Sequence, residues 1–288
     1  MAKRAKRFFY RIFCGFFLGL SIFAPGFSGS VIAIIMGIYQ DLLRIVSNPF
    51  KQLKQNILFC LPLVIGAAAS AVLFVLGFNF LFERYAKAAY LLFIGLIAGN
   101  MPVIFKQARN CGFKKRYLIG GAAACAIALV LAVFAPASNE PAQGMRLPLM
   151  ALSGLAGGAA ALVPGMSVST ILILLGVYGP LIAAAEAFFH LDFTYLLPFG
   201  LFALCTLAGL VLASRGIKAV FDRFPGFANA MVFGFMAGSL GGIARQSHYM
   251  PNENFNWIIG GVMLAAGLGV SVLFLLLGRA MEKNEKES

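Results

Sequence analysis

The sequence is short of charge. Asp, Glu, Lys and Arg make up 11% of its 288 residues, where a soluble domain carries about a quarter. A chain that is also 61% hydrophobic, with a mean hydropathy of +0.89, is excluded as an ordinary soluble protein and reads as a membrane protein. Apolar segments joined by short loops use up the length and leave no room for a separate soluble domain, so residues 1–288 are expected to form one transmembrane domain. Histidine is nearly missing, with only His190 and His248. The five cysteines, Cys14, Cys60, Cys111, Cys125 and Cys205, are scattered, and no pair has metal spacing. That excludes a zinc site and a disulfide framework, and leaves the cysteines as small packing residues. No metal or cofactor is expected.

Acidic residues are scarce as well, ten against 23 Lys and Arg, for a net charge of +13. Such an excess could attract nucleic acid. Here the basic residues lie in clusters between apolar segments, with no aromatic-interleaved soluble face to read a duplex, and such clusters set orientation in a membrane. No nucleic-acid partner is expected. The opening "MAKRAKRFFYRIFCGFFLGL" has the outline of a basic and then apolar leader. Its apolar part recurs inside the chain, so it is expected to be structural and not a cleaved signal.

What the chain does have is a repeated break. Residues 24–39 read "APGFSGSVIAIIMGIY" and residues 163–178 read "VPGMSVSTILILLGVY". Pro25 and Pro164 are 139 residues apart, and the same offset pairs Gly15 with Gly154, Gly19 with Gly158, Ser28 with Ser167, Ser30 with Ser169, Gly37 with Gly176 and Tyr39 with Tyr178. It later pairs "FERY" (82–85) with "FDRF" (221–224), and "GLIAGN" (95–100) with "GFMAGS" (234–239). One ungapped register held over so long a stretch is an internal duplication.

Spanning about 30 Å of hydrocarbon takes about 20 apolar residues. Residues 57–80, 88–105, 117–135, 194–213, 227–244 and 257–278 are near that length. The arms around each Pro-Gly are shorter. They suit a re-entrant helical hairpin; the alternative is a pair of full spans kinked at proline. With the N-terminus in the cytoplasm and each hairpin returning to its own side, 19 of the 23 Lys and Arg fall in cytoplasmic pieces. The outer pieces hold only Arg84, Lys87, Arg146 and Arg245, which favours this orientation with both termini cytoplasmic. Three crossings then separate the hairpins, so the halves run in opposite senses. The expected fold is all-α and polytopic, with two inverted repeats, each a re-entrant hairpin plus spanning helices. Repeat 1 covers 12–116 (hairpin about 12–46), a connecting span and outer loop 117–146, repeat 2 147–245 (hairpin about 147–185), and the final span 257–278.

The breaks have a chemical use. Proline stops the first arm, glycine turns the chain, and Ser28 and Ser30, or Ser167, Ser169 and Thr170, begin the second arm. The first N–H groups of a helix have no intrahelical partner. Together with the hydroxyls and the positive end of the dipole they make an anion site that fits phosphate. Two such sites meeting near the midplane would form one pocket. The plainer reading is that the serines only cap broken helices. Gly95, Ala98, Gly99, Gly234, Ala237 and Gly238 could open such a pocket sideways to lipid, or could serve close helix packing.

"GLSIFAPGFSGSVIAIIMGIYQDLL" and "GGAAALVPGMSVSTILILLGVYGPLI" resemble the paired signatures of the PopT polyprenyl-phosphate translocases, over about residues 10–278. The resemblance implies a bacterial cytoplasmic-membrane transporter. It would return undecaprenyl phosphate from the outer to the inner leaflet after envelope synthesis. Carried over residue by residue, it covers Pro25, Gly26, Ser28, Gly29, Gly37 and Tyr39, then Pro164, Gly165, Ser167, Gly176 and Tyr178. Many members have an Ala-Asp pair before the first Pro-Gly, where this chain has Ser21 and Ile22. Val168 stands where a glycine would match Gly29.

Glu83-Arg84 and Asp222-Arg223 occupy equivalent repeat positions. They read as interfacial anchors, or as gate arginines with carboxylates that could carry a coupling proton; H+ and Na+ are both open as coupling ions. Tyr39 and Tyr178 are further gate candidates. Asp41 and Arg44 are spaced for a helical pair, and Glu186, His190 and Asp192 fall in an outer loop that could sense pH. "GFSG" (26–29) has the form of a serine-protease motif, but a nucleophilic serine needs a base in reach and both histidines fall in outer loops. An enzyme is not expected. The alternative function is a secondary transporter of a small anion or other small solute.

Overall fold

The structure, a computed structural model, describes residues 2–25, 29, 32–33, 36–47, 51–111, 114–115, 117–134, 145–163, 166–248 and 255–287. The side chains of 2–5, 22, 39, 43, 46–47, 78–80, 82–83 and 277–287 are left aside. The described residues are mostly helical, without strands. In chain order the helices are α1 (Ala2–Phe23), α2 (Tyr39–Ser47), α3 (Leu53–Asn110), α4 (Tyr117–Phe134), α5 (Leu147–Ala161), α6 (Val168–Leu174), α7 (Tyr178–Phe189), α8 (Leu196–Arg223), α9 (Pro225–His248) and α10 (Trp257–Glu287).

Among the described residues, six stretches are long and apolar enough to cross a bilayer: Leu53–Gly77, Arg84–Asn110, Tyr117–Phe134, Leu196–Arg223, Pro225–His248 and Trp257–Leu276. They coincide with the six spans expected from hydropathy. The chain is a multi-pass membrane protein. Their lipid-facing sides carry large apolar groups that would be intolerable in water, such as Leu204, Leu207, Val211 and Leu212 on α8, each more than 60% exposed. Helices run further than the apolar runs that signal them. α8 continues through Arg215 and Lys218 to Arg223, and α3 through Lys106 to Asn110. Lys and Arg tolerate this because their aliphatic stems lie along apolar surface while the charge reaches water.

The long α3 is two spans joined at Tyr85, whose φ of −142° and ψ of 46° are not helical. Phe224, 139 residues later, takes φ −137° and ψ 55° between α8 and α9. There Pro225 has no N–H to continue the ladder and starts the next helix instead. Other features recur at the same offset. Gly37 and Gly176 both have positive φ, 64° and 71°. The N–H of Ile38 donates to Ala33 O at 3.0 Å, and that of Val177 to Leu172 O at 3.0 Å. Gly15 lies against the Leu63 backbone and Gly154 against that of Phe202.

These close approaches define the packing. α1 lies on the first span of α3 and α5 on α8; α10 lies on the second span of α3 and α4 on α9. The second span of α3 and α9 pack together in the centre, with Phe105 and Phe233 5.4 Å apart. Gly95 and Gly234 could not carry a Cβ without striking the backbones of Leu264 and Gly121, and Gly99 sits against Ser271 as Gly238 does against Cys125. Of the two uses considered for these small residues, the four glycines serve close helix packing.

The stretch expected to form the second hairpin differs from that outline. Its first arm, α5, has 15 residues and its return arm, α6, only seven. These are about 22 and 10 Å at 1.5 Å per residue, both short of a bilayer core. At Leu175–Val177 the chain bends by 112° into α7. Gly-x-Tyr thus marks a second break, made possible by the left-handed backbone of Gly176. Gly176→Ala is expected to cost about 1–2 kcal/mol, read as a lower midpoint of thermal unfolding in detergent; an unchanged midpoint would contradict the positive φ.

Candidate functional site

The site builds from α6 outward. Ser167 precedes the helix with extended backbone (φ −123°, ψ 141°), the conformation of an N-cap. Its hydroxyl does not cap a backbone N–H, however. It sits 2.7 Å from the Ser169 hydroxyl, and either oxygen can be the donor. One O–H proton of the pair is used between them, and the other can be given to a third group. The Ser167 carbonyl takes the N–H of Thr170 at 3.1 Å and of Ile171 at 3.4 Å. The earlier N–H groups have no intrahelical acceptor.

This start of a helix is deeply enclosed. Ser167 is 5% exposed, Ser169 0% and Thr170 6%. α6 packs against α5 and α7 of its own hairpin, and against α1, α4 and α9. Leu174 at its far end is wedged onto Ala128 and Ala132 of α4. Val168, where a glycine would match Gly29, has its side chain against Gly157 of α5. Gly29 itself is half-buried, and a Cβ there would come 3.0 Å from the Ser21 hydroxyl, which donates to Leu18 O.

The end of α1 meets α7 through Tyr178. Pro25 is fully buried just beyond α1. One turn end earlier, the carbonyl of Phe23 accepts the Tyr178 hydroxyl at 2.7 Å. Phe93 meets the Tyr178 ring edge to face at 5.8 Å, and Phe23 stacks on Phe74 at 5.4 Å. Of the remaining candidates, Gly26, Ser28, Ser30, Pro164 and Gly165 lie outside the described residues. Tyr39 begins α2, and its side chain is outside the described set, as is that of Glu83. Arg84, Asp222 and Arg223 are exposed beside the Tyr85 and Phe224 breaks. Asp41 and Arg44 form an exposed ion pair of 3.1 Å.

Beyond α7, Asp192 accepts from the Thr194 hydroxyl at 2.5 Å and from its N–H at 2.9 Å. Those bonds hold the Asp192 carboxyl below its usual value. A depressed carboxylate stays ionised at neutral pH and gains its proton only in acid, below about 3.9. Asp192 therefore takes up no proton in the physiological range.

Sequence reasoning missed a groove of about 470 Å³ next to the second Pro-Gly. Val163 and Met166 form one end, with Ala213 and Gly216 of α8 and Met231 and Phe235 of α9 along it. Of its α8 residues, Gly216 has nothing within 4 Å of an added Cβ.

Residues 18–254 match the family model described as VCA0040-like, undecaprenyl phosphate translocase-like. The chain belongs to this family. It is similar to the polyprenyl-phosphate transporter of Staphylococcus aureus, 27% identical over 278 residues that cover 94% of this chain and 96% of that protein. It is also similar to the polyprenyl-phosphate transporter of Vibrio cholerae, 27% identical over 255 residues, 83% of this chain and 79% of that one. Both relatives are transporters and not enzymes, as the missing catalytic base had implied. No solved structure matches the chain.

Proposed function

We propose that this protein carries undecaprenyl phosphate, or a close polyprenyl phosphate, from the outer to the inner leaflet of a bacterial cytoplasmic membrane. A charged headgroup cannot cross the hydrocarbon without donors that replace its water, while its prenyl tail can stay in lipid. The observation that carries the reading is the buried Ser167–Ser169 hydroxyl pair at the start of α6, enclosed by helices from both halves of the chain. In this reading the two halves are inverted repeats. The features recurring 139 residues apart and the one-sided Lys and Arg support it. Each half contributes a re-entrant hairpin: Pro25, Gly26, Ser28, Gly29 and Ser30 from one, Pro164, Gly165, Ser167, Ser169 and Thr170 from the other. Both termini are cytoplasmic, and a gradient of H+ or Na+ drives the cycle.

Glu83-Arg84 and Asp222-Arg223 then stand at the outer and inner ends of the path, with Tyr39 and Tyr178 as gates. Among these candidates whose side chains are described, Tyr178 has a bond that fits a gate. Its hydroxyl ties the second hairpin to Phe23 and closes the outer half over the Phe23–Phe74 stack. Tyr178→Phe should weaken that closure by about 1 kcal/mol, the net worth of one hydrogen bond. A single cysteine at Val75, in a background lacking the native five, should then react about fivefold faster with an impermeant maleimide added outside. An unchanged rate would remove Tyr178 as a gate.

The function itself is tested in liposomes holding purified protein and a fluorescent polyprenyl phosphate, with leaflet-resolved quenching and an imposed H+ or Na+ gradient. Gradient-dependent movement between leaflets is expected. Movement of a small anion with no lipid transfer would overturn the reading in favour of a solute transporter.

A further inference from the structure

We propose that the groove beside the second Pro-Gly turn seats the first isoprene units of the lipid whose phosphate meets Ser167 and Ser169; this rests on the function proposed above. At about 470 Å³ the groove falls within the range of small-ligand sites, about 300–1,000 Å³. Met166 lines it, and Ser167 of the hydroxyl pair is the next residue in the chain. A polyprenyl phosphate has its hydrocarbon attached directly to the phosphate. With the phosphate at the serines, its chain begins at Met166. A diacyl phospholipid would instead place glycerol and ester groups against Val163 and Met166, desolvating them without partners. The geometry therefore selects a prenyl phosphate over other anionic lipids.

A Cβ on Gly216 would meet nothing within 4 Å, whereas Gly158 and Gly234 are each pressed against a neighbouring helix. Arg215 and Lys218, exposed on the same stretch of α8 as Gly216, supply positive charge along the route of an anionic headgroup. Met166 and Met231 give a wall that can adapt to a branched chain.

The test uses the full-length protein in liposomes and a polyprenyl phosphate with a photoreactive diazirine on its first isoprene units. Label is expected in the segments holding Met166 and Met231, competed by unlabelled polyprenyl phosphate and not by phosphatidic acid, which has the same phosphomonoester on a diacyl backbone. Gly216→Leu, at an exposed position with free space, should melt like wild type and lose labelling and transport about tenfold or more. Equal competition by phosphatidic acid, label outside the groove, or undiminished labelling of Gly216→Leu would each overturn the groove assignment while wild type still moves the lipid. Wild type that moves no polyprenyl phosphate would overturn the function, and the groove with it.

Discussion

Replacing both Ser167 and Ser169 with alanine is expected to lower polyprenyl-phosphate translocation about a hundredfold. The pair has one proton left for the ligand, and a hydrogen bond to a charged group is worth about 1.5–3 kcal/mol, so at the high end its loss removes two factors of ten. The backbone N–H groups at the start of α6 remain, which is why some transport should survive. The fold should also survive, because alanine removes one oxygen from each residue and is the better helix former. The two single variants should not add up to the double. The hydroxyls are 2.7 Å apart, so removing one frees the other to turn toward the ligand, and the coupling is visible in a double-mutant cycle. Leaflet-resolved quenching in liposomes measures all three. A double variant within threefold of wild type, with an unchanged melting profile, would show that the pair only caps α6.

Much of this arrangement is legible in the sequence. Six spans could be read because each is a long apolar run, and hydropathy alone fixes those. The Pro-Gly breaks and the paired glycines were visible because proline and glycine act on the backbone wherever they stand. What could not be read was which surface each residue meets. Gly95 and Gly234 were candidates for a lipid-open pocket, yet they let helices touch; a glycine in a helix signals close approach but does not name what approaches. Tyr178 stood out in the motif, but its bond to Phe23 joins residues 155 apart in sequence, and no local pattern encodes that. The plainer of the two readings has the Ser167 hydroxyl cap the helix. It bonds Ser169 instead, a choice between two nearby acceptors that depends on the exact turn geometry.

Gly158→Leu should remove the folded protein altogether, and Gly19→Leu should do the same from the other half. A Cβ at Gly158 would strike Thr206 and come 2.8 Å from Leu210 N; at Gly19 it would come 2.6 Å from Ala67 Cα. Inserting bulk into a packed core costs about 1–3 kcal/mol when side chains can yield. Here the obstacle is backbone on a spanning helix, so α5 and α8, or α1 and the first span of α3, must separate along their whole contact. A cost above about 3 kcal/mol is expected, a large part of the 5–15 kcal/mol that holds a typical fold. Gly261→Leu is the matched control: the position is exposed on α10, with nothing within 4 Å of an added Cβ. That variant should be at least as stable as wild type, since leucine gains about 1 kcal/mol of helix propensity over glycine. The comparison is read as the monodisperse fraction surviving a heat step in mild detergent. Because α5 is the arm that delivers the chain to Ser167, its contact with α8 fixes where the hydroxyl pair stands. Equal survival of Gly158→Leu and Gly261→Leu would mean that α5 is not held there, and a headgroup site at the start of α6 would lose its support.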